Sequence, residues 1–277
     1  MAREDAAFRC GQCKDHYRDA LSLELLSARL QAERMSGRAT HFTLSTLAVE
    51  LQDQGNYNEA DPLFREVLEA TRETLGKRHP STLTSISNLG GLLKDKGKYE
   101  EAEPLCREAL EVRRETLGNR HPDTLCTINN LGSLLKDKGD LAAAEPLFRE
   151  AVKVQRETLG NQHPDTLCTI NNLGSLLKDK GDLTAAEPLV REALEGQRET
   201  LGDRHPSTLT SINSLGALLQ TKGDLAAAEP LHREALEGRH ETLGDLHPST
   251  LTSRNNLGAL LQTMDDLTFT ESSAARV

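Results

Sequence analysis

The chain has 277 residues, a formal net charge of -10, 3% aromatic residues and no tryptophan. That balance argues against a nucleic-acid or anionic-membrane partner, both of which require a basic face, and it leaves no stacking platform for bases. No apolar run approaches the roughly 20 residues of a membrane span, so no membrane insertion is expected. The start, MAREDAAFRC, lacks the apolar core of a signal peptide, and five scattered cysteines fit a reducing compartment, so the expected location is cytoplasmic.

Residues 1–37 stand apart as an N-terminal helical segment. Tyr17 to Met35 is rich in Leu, Ala, Arg and Glu, and Leu21, Leu25 and Ala28 with Leu23, Leu26 and Leu30 form one apolar side. It reads as a diverged capping helix. A coiled coil would need heptads sustained over three or four turns of the pattern, and these do not persist. Cys10 and Cys13 form a lone CxxC with His16 close behind. A zinc site needs a second ligand pair at a defined distance, and Cys106, Cys126 and Cys168 do not supply one. No metal site is expected.

From residue 38 the chain repeats itself. His-Pro recurs at 79/80, 121/122, 163/164, 205/206 and 247/248, a constant step of 42, and an acid followed by Pro recurs at 61/62, 103/104, 145/146, 187/188 and 229/230. A fixed period in this range marks an all-α solenoid of stacked antiparallel helix pairs. The array occupies 38–264, with repeats at 38–79, 80–121, 122–163, 164–205 and 206–247 and a final half repeat at 248–264. Met264-Asp265 replaces the earlier Lys-Gly, and residues 265–277 read as a frayed tail.

Each repeat holds two helices, A and B. In 122–163, Asp123 or Thr124 is positioned to cap helix A. Leu125, Ile128, Leu131, Gly132, Leu134 and Leu135 then fall on one half of the helix, and Gly139-Asp140 ends it. Helix B runs from Leu141 to Leu159. Alanines at 60, 102, 144, 186 and 228 and glycines at 90, 132, 174, 216 and 258 permit close approach of A and B. Acid-to-arginine pairs four apart, such as Glu145 and Arg149, read as a solvated outer face. Pro146 and its equivalents lie beyond the first turn of helix B, where each removes a backbone hydrogen bond and predicts a slight bend. Gly196 and Gly238 inside the later B helices predict softer helix ends, since each costs roughly 1 kcal/mol relative to Ala.

Nothing in the sequence points to an enzyme or a cofactor. No phosphate-binding, dinucleotide-binding or hydrolase motif is present. The loop histidines His79, His121, His163, His205 and His247 recur one per repeat, too far apart for shared metal ligation, and are expected to be structural. One constellation remains, on the polar arc of helix A. It comprises Asn88, Asn129, Asn130, Asn171, Asn172, Asn213, Asn255 and Asn256, with Lys94, Lys136 and Lys178 alongside and the small Ser133 and Ser175 between them. Amide side chains both donate to and accept from a peptide backbone.

Leu131-Gly132, Leu135, Gly139, Leu141, Ala144, Phe148 and Ala151 resemble the tetratricopeptide repeat (TPR) pattern. Ile128 departs from it at the usual aromatic position, and Arg156 at the usual late proline. The 42-residue form, with NNLGSLL, KG, AEPL, RE, ETLG and HP in register, resembles the repeats of kinesin light chains and nephrocystin-3-like proteins. The resemblance implies a right-handed TPR superhelix whose A helices line a concave groove that holds extended peptides. It implies an adaptor that binds protein or peptide partners, including a kinesin heavy chain if the motor kinship holds. The alternative is a scaffold or sensor array of a larger signalling protein with no motor link.

Overall fold

The computed structural model describes residues 23–35 and 40–274. The CxxC at Cys10 and Cys13 and the first part of the helix expected from Tyr17 lie outside them. The described residues form helices and no strand. α1 spans Leu23–Met35. The helix pairs follow as α2 His41–Asp53 with α3 Tyr57–Leu75, α4 Pro80–Asp95 with α5 Tyr99–Leu117, and α6 Pro122–Lys138 with α7 Leu141–Thr158. Next come α8 Pro164–Asp179 with α9 Leu183–Leu201, α10 Pro206–Thr221 with α11 Leu225–Leu243, and finally α12 Pro248–Ala274. The chain divides into two compact parts at the Thr158–Leu159 bond.

The turn between A and B follows from one glycine. In the second repeat Gly97 adopts φ 71, a left-handed conformation that costs a residue without a Cβ little. The Lys98 N–H then donates to the Leu93 carbonyl at 2.8 Å, closing the helix end. Gly55, Gly139, Gly181 and Gly223 do the same in the other repeats. In α12 this register holds Asp265, and the helix does not stop there but continues to Ala274. The expected frayed tail from 265 is thus corrected. Loss of the glycine, with no proline after it, removes the signal that ends helix A, and the helix propagates.

In the N-terminal part α3 packs on α4 and α5 on α6, while α4 neighbours both α2 and α6. In the C-terminal part α9 packs on α10, α11 on α12, and α10 touches both α8 and α12. Within each pair the contact is nearly backbone to side chain. A Cβ at Gly132 would lie 2.9 Å from the Phe148 ring, and one at Gly174 would lie 2.5 Å from Val190 Cγ2. Ala60, Ala102, Ala144, Ala186 and Ala228 are fully buried, as are Ile86, Ile128, Ile170 and Ile212 at the position usually aromatic.

The prolines leave helix B continuous. In every B helix the residue four before the proline (Asn58, Glu100, Ala142, Thr184 or Ala226) is exposed. The carbonyl freed by the missing N–H therefore belongs to a residue in contact with water, which lowers the penalty of losing that bond.

The acids preceding those prolines do more than pair along their own helix. Asp61 binds Arg65 at 2.6 Å and Lys96 of the next repeat at 2.7 Å. Glu103 binds Arg107 at 2.8 Å and Lys138 at 2.9 Å, and Glu187 binds Arg191 and Lys222. B helices are also joined to one another, by Arg72–Glu108 at 2.7 Å, Arg114–Glu150 at 2.8 Å and Arg198–Glu234 at 2.6 Å. What reads as a solvated face in sequence is a set of bridges between repeats.

Gly196 and Gly238 also differ from expectation. Both are buried, and a Cβ at Gly238 would lie 2.4 Å from Leu209 Cδ2, while one at Gly196 would lie 2.7 Å from Leu167 Cδ2. They make room for a fully buried leucine of the neighbouring helix A. Gly238→Ala should therefore destabilise the protein by about 1–3 kcal/mol through overpacking, despite alanine's higher helix propensity. A lowered thermal midpoint by circular dichroism checks this; a raised one would mean that propensity dominates.

Candidate interaction surface

The asparagine ladder falls into two rows on the A helices. In the N-terminal part Asn129 is buried, and Asn88 and Asn130 are half-buried on α4 and α6. Lys94, Ser133 and Lys136 are half-buried on the same helices. In the C-terminal part Asn171 and Asn172 are buried on α8, where Ser175 and Lys178 are half-buried. Asn213 and Asn256 are half-buried and Asn255 is exposed.

Several of these side chains stitch one helix A to the next. Asn171 Nδ2 donates to Ser214 Oγ at 3.3 Å, and Asn256 Nδ2 donates to Asn213 Oδ1 at 3.2 Å. Gln52 Nε2 donates to Asp95 Oδ2 at 2.6 Å, and Lys94 Nζ lies 3.6 Å from Asp137 Oδ2. Each link spans 43 residues, one repeat plus one position, and so runs diagonally between neighbouring A helices. Burial takes Asn129, Asn171 and Asn172 into the contacts between helices, whereas Asn88, Asn130, Asn255, Asn256, Ser133, Ser175 and the three lysines keep solvent access. The lysines sit beside acids: Lys136 is 3.6 Å from Asp137 and Lys178 is 3.1 Å from Asp179.

A tetratricopeptide repeat profile matches residues 85–157, 123–199, 165–241 and 213–268, and a second matches 43–81. The chain belongs to the tetratricopeptide repeat family. No curated protein matches it. Among solved structures, a protein from Podosopora anserina assigned as a kinesin light chain with nearly identical TPR-like repeats is 27% identical. That alignment covers 73% of this chain and 95% of the other, with a TM-score of 0.56. BtubC (BKLC) from P. vanneervenii is similar in fold at 21% identity, covering 81% of this chain and 88% of its own, with a TM-score of 0.57. A Rap protein complexed with Competence and Sporulation Factor shares the fold at 16% identity, 88% and 71% coverage and a TM-score of 0.58. The TPR family is one of non-catalytic interaction modules, and this chain is a kinesin light chain-like TPR array.

Two arginines of the TPR array escape a reading by motif. One position of helix B, just before the last turn, holds Thr71, Arg113, Gln155, Gln197 and Arg239. All are buried. Arg113 reaches from α5 to both flanking A helices, donating to Ser87 Oγ at 3.2 Å on α4 and to Thr127 Oγ1 on α6. Arg239 reaches from α11 to Thr210 Oγ1 at 3.2 Å on α10 and to Ser253 Oγ at 2.9 Å on α12, and also donates to the Ser249 carbonyl at 3.0 Å. Neither pairs with a carboxylate among the described residues. Burial pulls the Arg113 guanidinium below its ordinary range, with Cys126 and Asp123 opposing the shift, and pulls Arg239 down to about 10. Both remain cationic at neutral pH. Ser87 occupies the ladder position held elsewhere by Asn129 and Asn213, so the Arg113 charge arrives at the ladder from beneath. The signal was in the period: a polar residue recurs where the apolar stripe of helix B should continue.

The loop histidines, by contrast, are helix caps. The His121 Nδ1 accepts the Asp123 N–H at 3.2 Å, and His79, His163, His205 and His247 repeat this with Ser81, Asp165, Ser207 and Ser249 at 3.1–3.2 Å. His121 caps α6, and Asp123 and Thr124 lie inside the helix with Pro122 at its first position; the expected Asp123 or Thr124 cap is corrected accordingly. Thr124 instead bonds the Arg113 carbonyl at 3.4 Å. Among the described residues no group of three or more His, Cys, Asp or Glu is arranged to hold a metal. Cys106 and Cys168 are buried, and burial pushes the Cys106 thiol up to about 11.

The caps give a direct test. His121→Ala should cost about 1 kcal/mol, as loss of an N-cap does, and His121→Asn should recover most of it because Asn is a strong N-cap. Urea unfolding midpoints of the two variants decide it. Equal losses would mean the imidazole acts by packing alone.

Proposed function

We propose that this chain is a non-catalytic adaptor that binds acidic extended segments of partner proteins along its A helices, over Arg113 in the N-terminal part and, separately, over Arg239 in the C-terminal part. The observation that carries the reading is the pair of buried guanidinium groups, neither of which forms an ion pair with a carboxylate among the described residues. Burying a cation is costly unless an opposite charge completes it. Here hydroxyls meet part of the demand, and a ligand carboxylate would meet the rest with charge-assisted bonds. The half-buried Asn130, Ser133 and Lys136 on α6, and Asn213 and Asn256 on α10 and α12, offer donors and acceptors to a peptide backbone.

Likeness to the kinesin light chain from Podosopora anserina supports a further step, in which the bound segment belongs to a cargo and a kinesin heavy chain is a partner. Co-purification with a heavy chain tests that step alone. The peptide reading does not depend on it.

Display selection of linear peptides on the full chain should enrich acidic segments. Exchanging Arg113→Gln together with Arg239→Gln should weaken their binding at least tenfold, the scale of one lost charge-assisted contact. Gln already stands at 155 and 197 in the same column, and removing an uncompensated buried charge should leave the melting temperature unchanged or higher. Unchanged peptide affinity in the double variant would overturn the assignment.

A further inference from the structure

In every full repeat one side chain of helix B plugs the surface of helix A near the small residue at its centre. These plugs are Phe64, Cys106, Phe148, Val190 and His232. Only the last is a residue type whose ordinary pKa lies near neutral. His232 is 0% exposed. Its ring packs on α10 so closely that a Cβ on Gly216 would lie 2.9 Å from Cε1. Nδ1 is 3.0 Å from Asn213 Oδ1. That oxygen can only accept, so Nδ1 carries the hydrogen and donates. Asn256 on α12 donates to the same oxygen. The core imidazole and the groove amides therefore share one acceptor. On the other side of the ring Nε2 is buried with no partner.

We propose that His232 is a proton-operated latch: acid pH charges it and opens the α10–α12 segment, releasing the Asn213–Asn256 link. A second proton on the ring would have to go on Nε2, where no acceptor waits, and would bring a charge into a dry site. The surroundings supply no compensation. α10 carries no ionisable residue from Pro206 to Thr221; His205 and Lys222 flank it. On α11, Glu229 pairs with Arg233 at 2.7 Å, Arg239 binds hydroxyls and a carbonyl, and His240 pairs with Asp245 at 2.7 Å, while Glu234 is held by Arg198 and Glu241 by Arg204. Glu237 is exposed, as are Arg254, Asp265 and Asp266 on α12. None of these charges acts on the imidazole, whose proton affinity is lowered by burial alone.

The direction follows from linkage. The folded ring stays neutral to a lower pH than the unfolded ring, which titrates near its ordinary value of about 6.5. Above that value the ring is neutral in both states and costs nothing. As pH falls below it, the open state takes up the proton first, and the closed state loses ground by up to about tenfold per pH unit until the folded ring itself titrates. The histidine caps themselves recur along the array, so α4–α6 serve as an internal control.

Hydrogen exchange of the full chain, corrected for intrinsic rates and read from about pH 7.5 to about pH 5, tests the latch without any ligand. Failure of the peptide reading would leave this result untouched. The wild type should lose protection in α10–α12 by up to about tenfold per pH unit below 6.5, in excess of any change in α4–α6. His232→Val and His232→Phe, residues already used at this position in other repeats, should remove the excess. An equal loss in both variants, or none in the wild type, would overturn the proposal. The wild-type ring also reports directly by nuclear magnetic resonance. It should titrate below the ordinary histidine value, and titration at or above that value would be equally fatal.

Discussion

Helix A has to admit a neighbour at nearly backbone distance. Gly90, Gly132, Gly174 and Gly216 leave that room, and Cys106, Phe148, Val190 and His232 fill it from helix B. Once this contact is made, the rest of the repeat has little freedom. The left-handed glycine sets the reversal, the alanines bring the pair together, and the remaining apolar stripe of helix B must find the next helix A. One pair alone would leave that stripe in water, which is why the fold is built from copies and why its interior is shared between them.

One buried position of helix B is polar in every full repeat. Thr71, Arg113, Gln155, Gln197 and Arg239 stand one per repeat, each carried by helix B toward the A helices. Such residues weaken packing relative to aliphatic ones, and Gln197 Oε1 and Ser211 Oγ are buried without a partner. Interiors carry such groups when something beyond stability needs them. Arg113 of that position meets Ser87 at a ladder position of helix A.

Period and binary pattern made most of the fold legible: the helix pairs, their turns and the packing glycines all follow from the 42-residue register. The misreadings share a cause. Local propensity says that glycine weakens a helix and that Asp, not His, begins one. At Gly238 the nearby Leu209 decides instead, and at His121 the imidazole takes the capping role because the proline beside it already fixes the first helical position. The tail was misjudged because a broken repeat was taken for a broken helix, whereas Asp265 removes only the stop. Of the candidate site, the ladder was visible as a surface arc, but which of its amides are buried and which stay open to solvent depends on packing between A helices, whose diagonal contacts lie 43 residues apart. Arg113 and Arg239 were hidden because a single polar residue within an apolar stripe reads as an exception until its column is aligned.

The bridges between repeats have a consequence for how such a protein changes over time. Asp61, Glu103 and Glu187 each hold an arginine of their own helix and a lysine of the following repeat, always at the same offset. A gain or loss of one whole 42-residue segment would bring chemically equivalent partners into the vacated places, with every bond re-formed by a homologous neighbour. Copy number is thus a nearly neutral variable for the scaffold, and selection can act on it through how long a binding strip the cell requires.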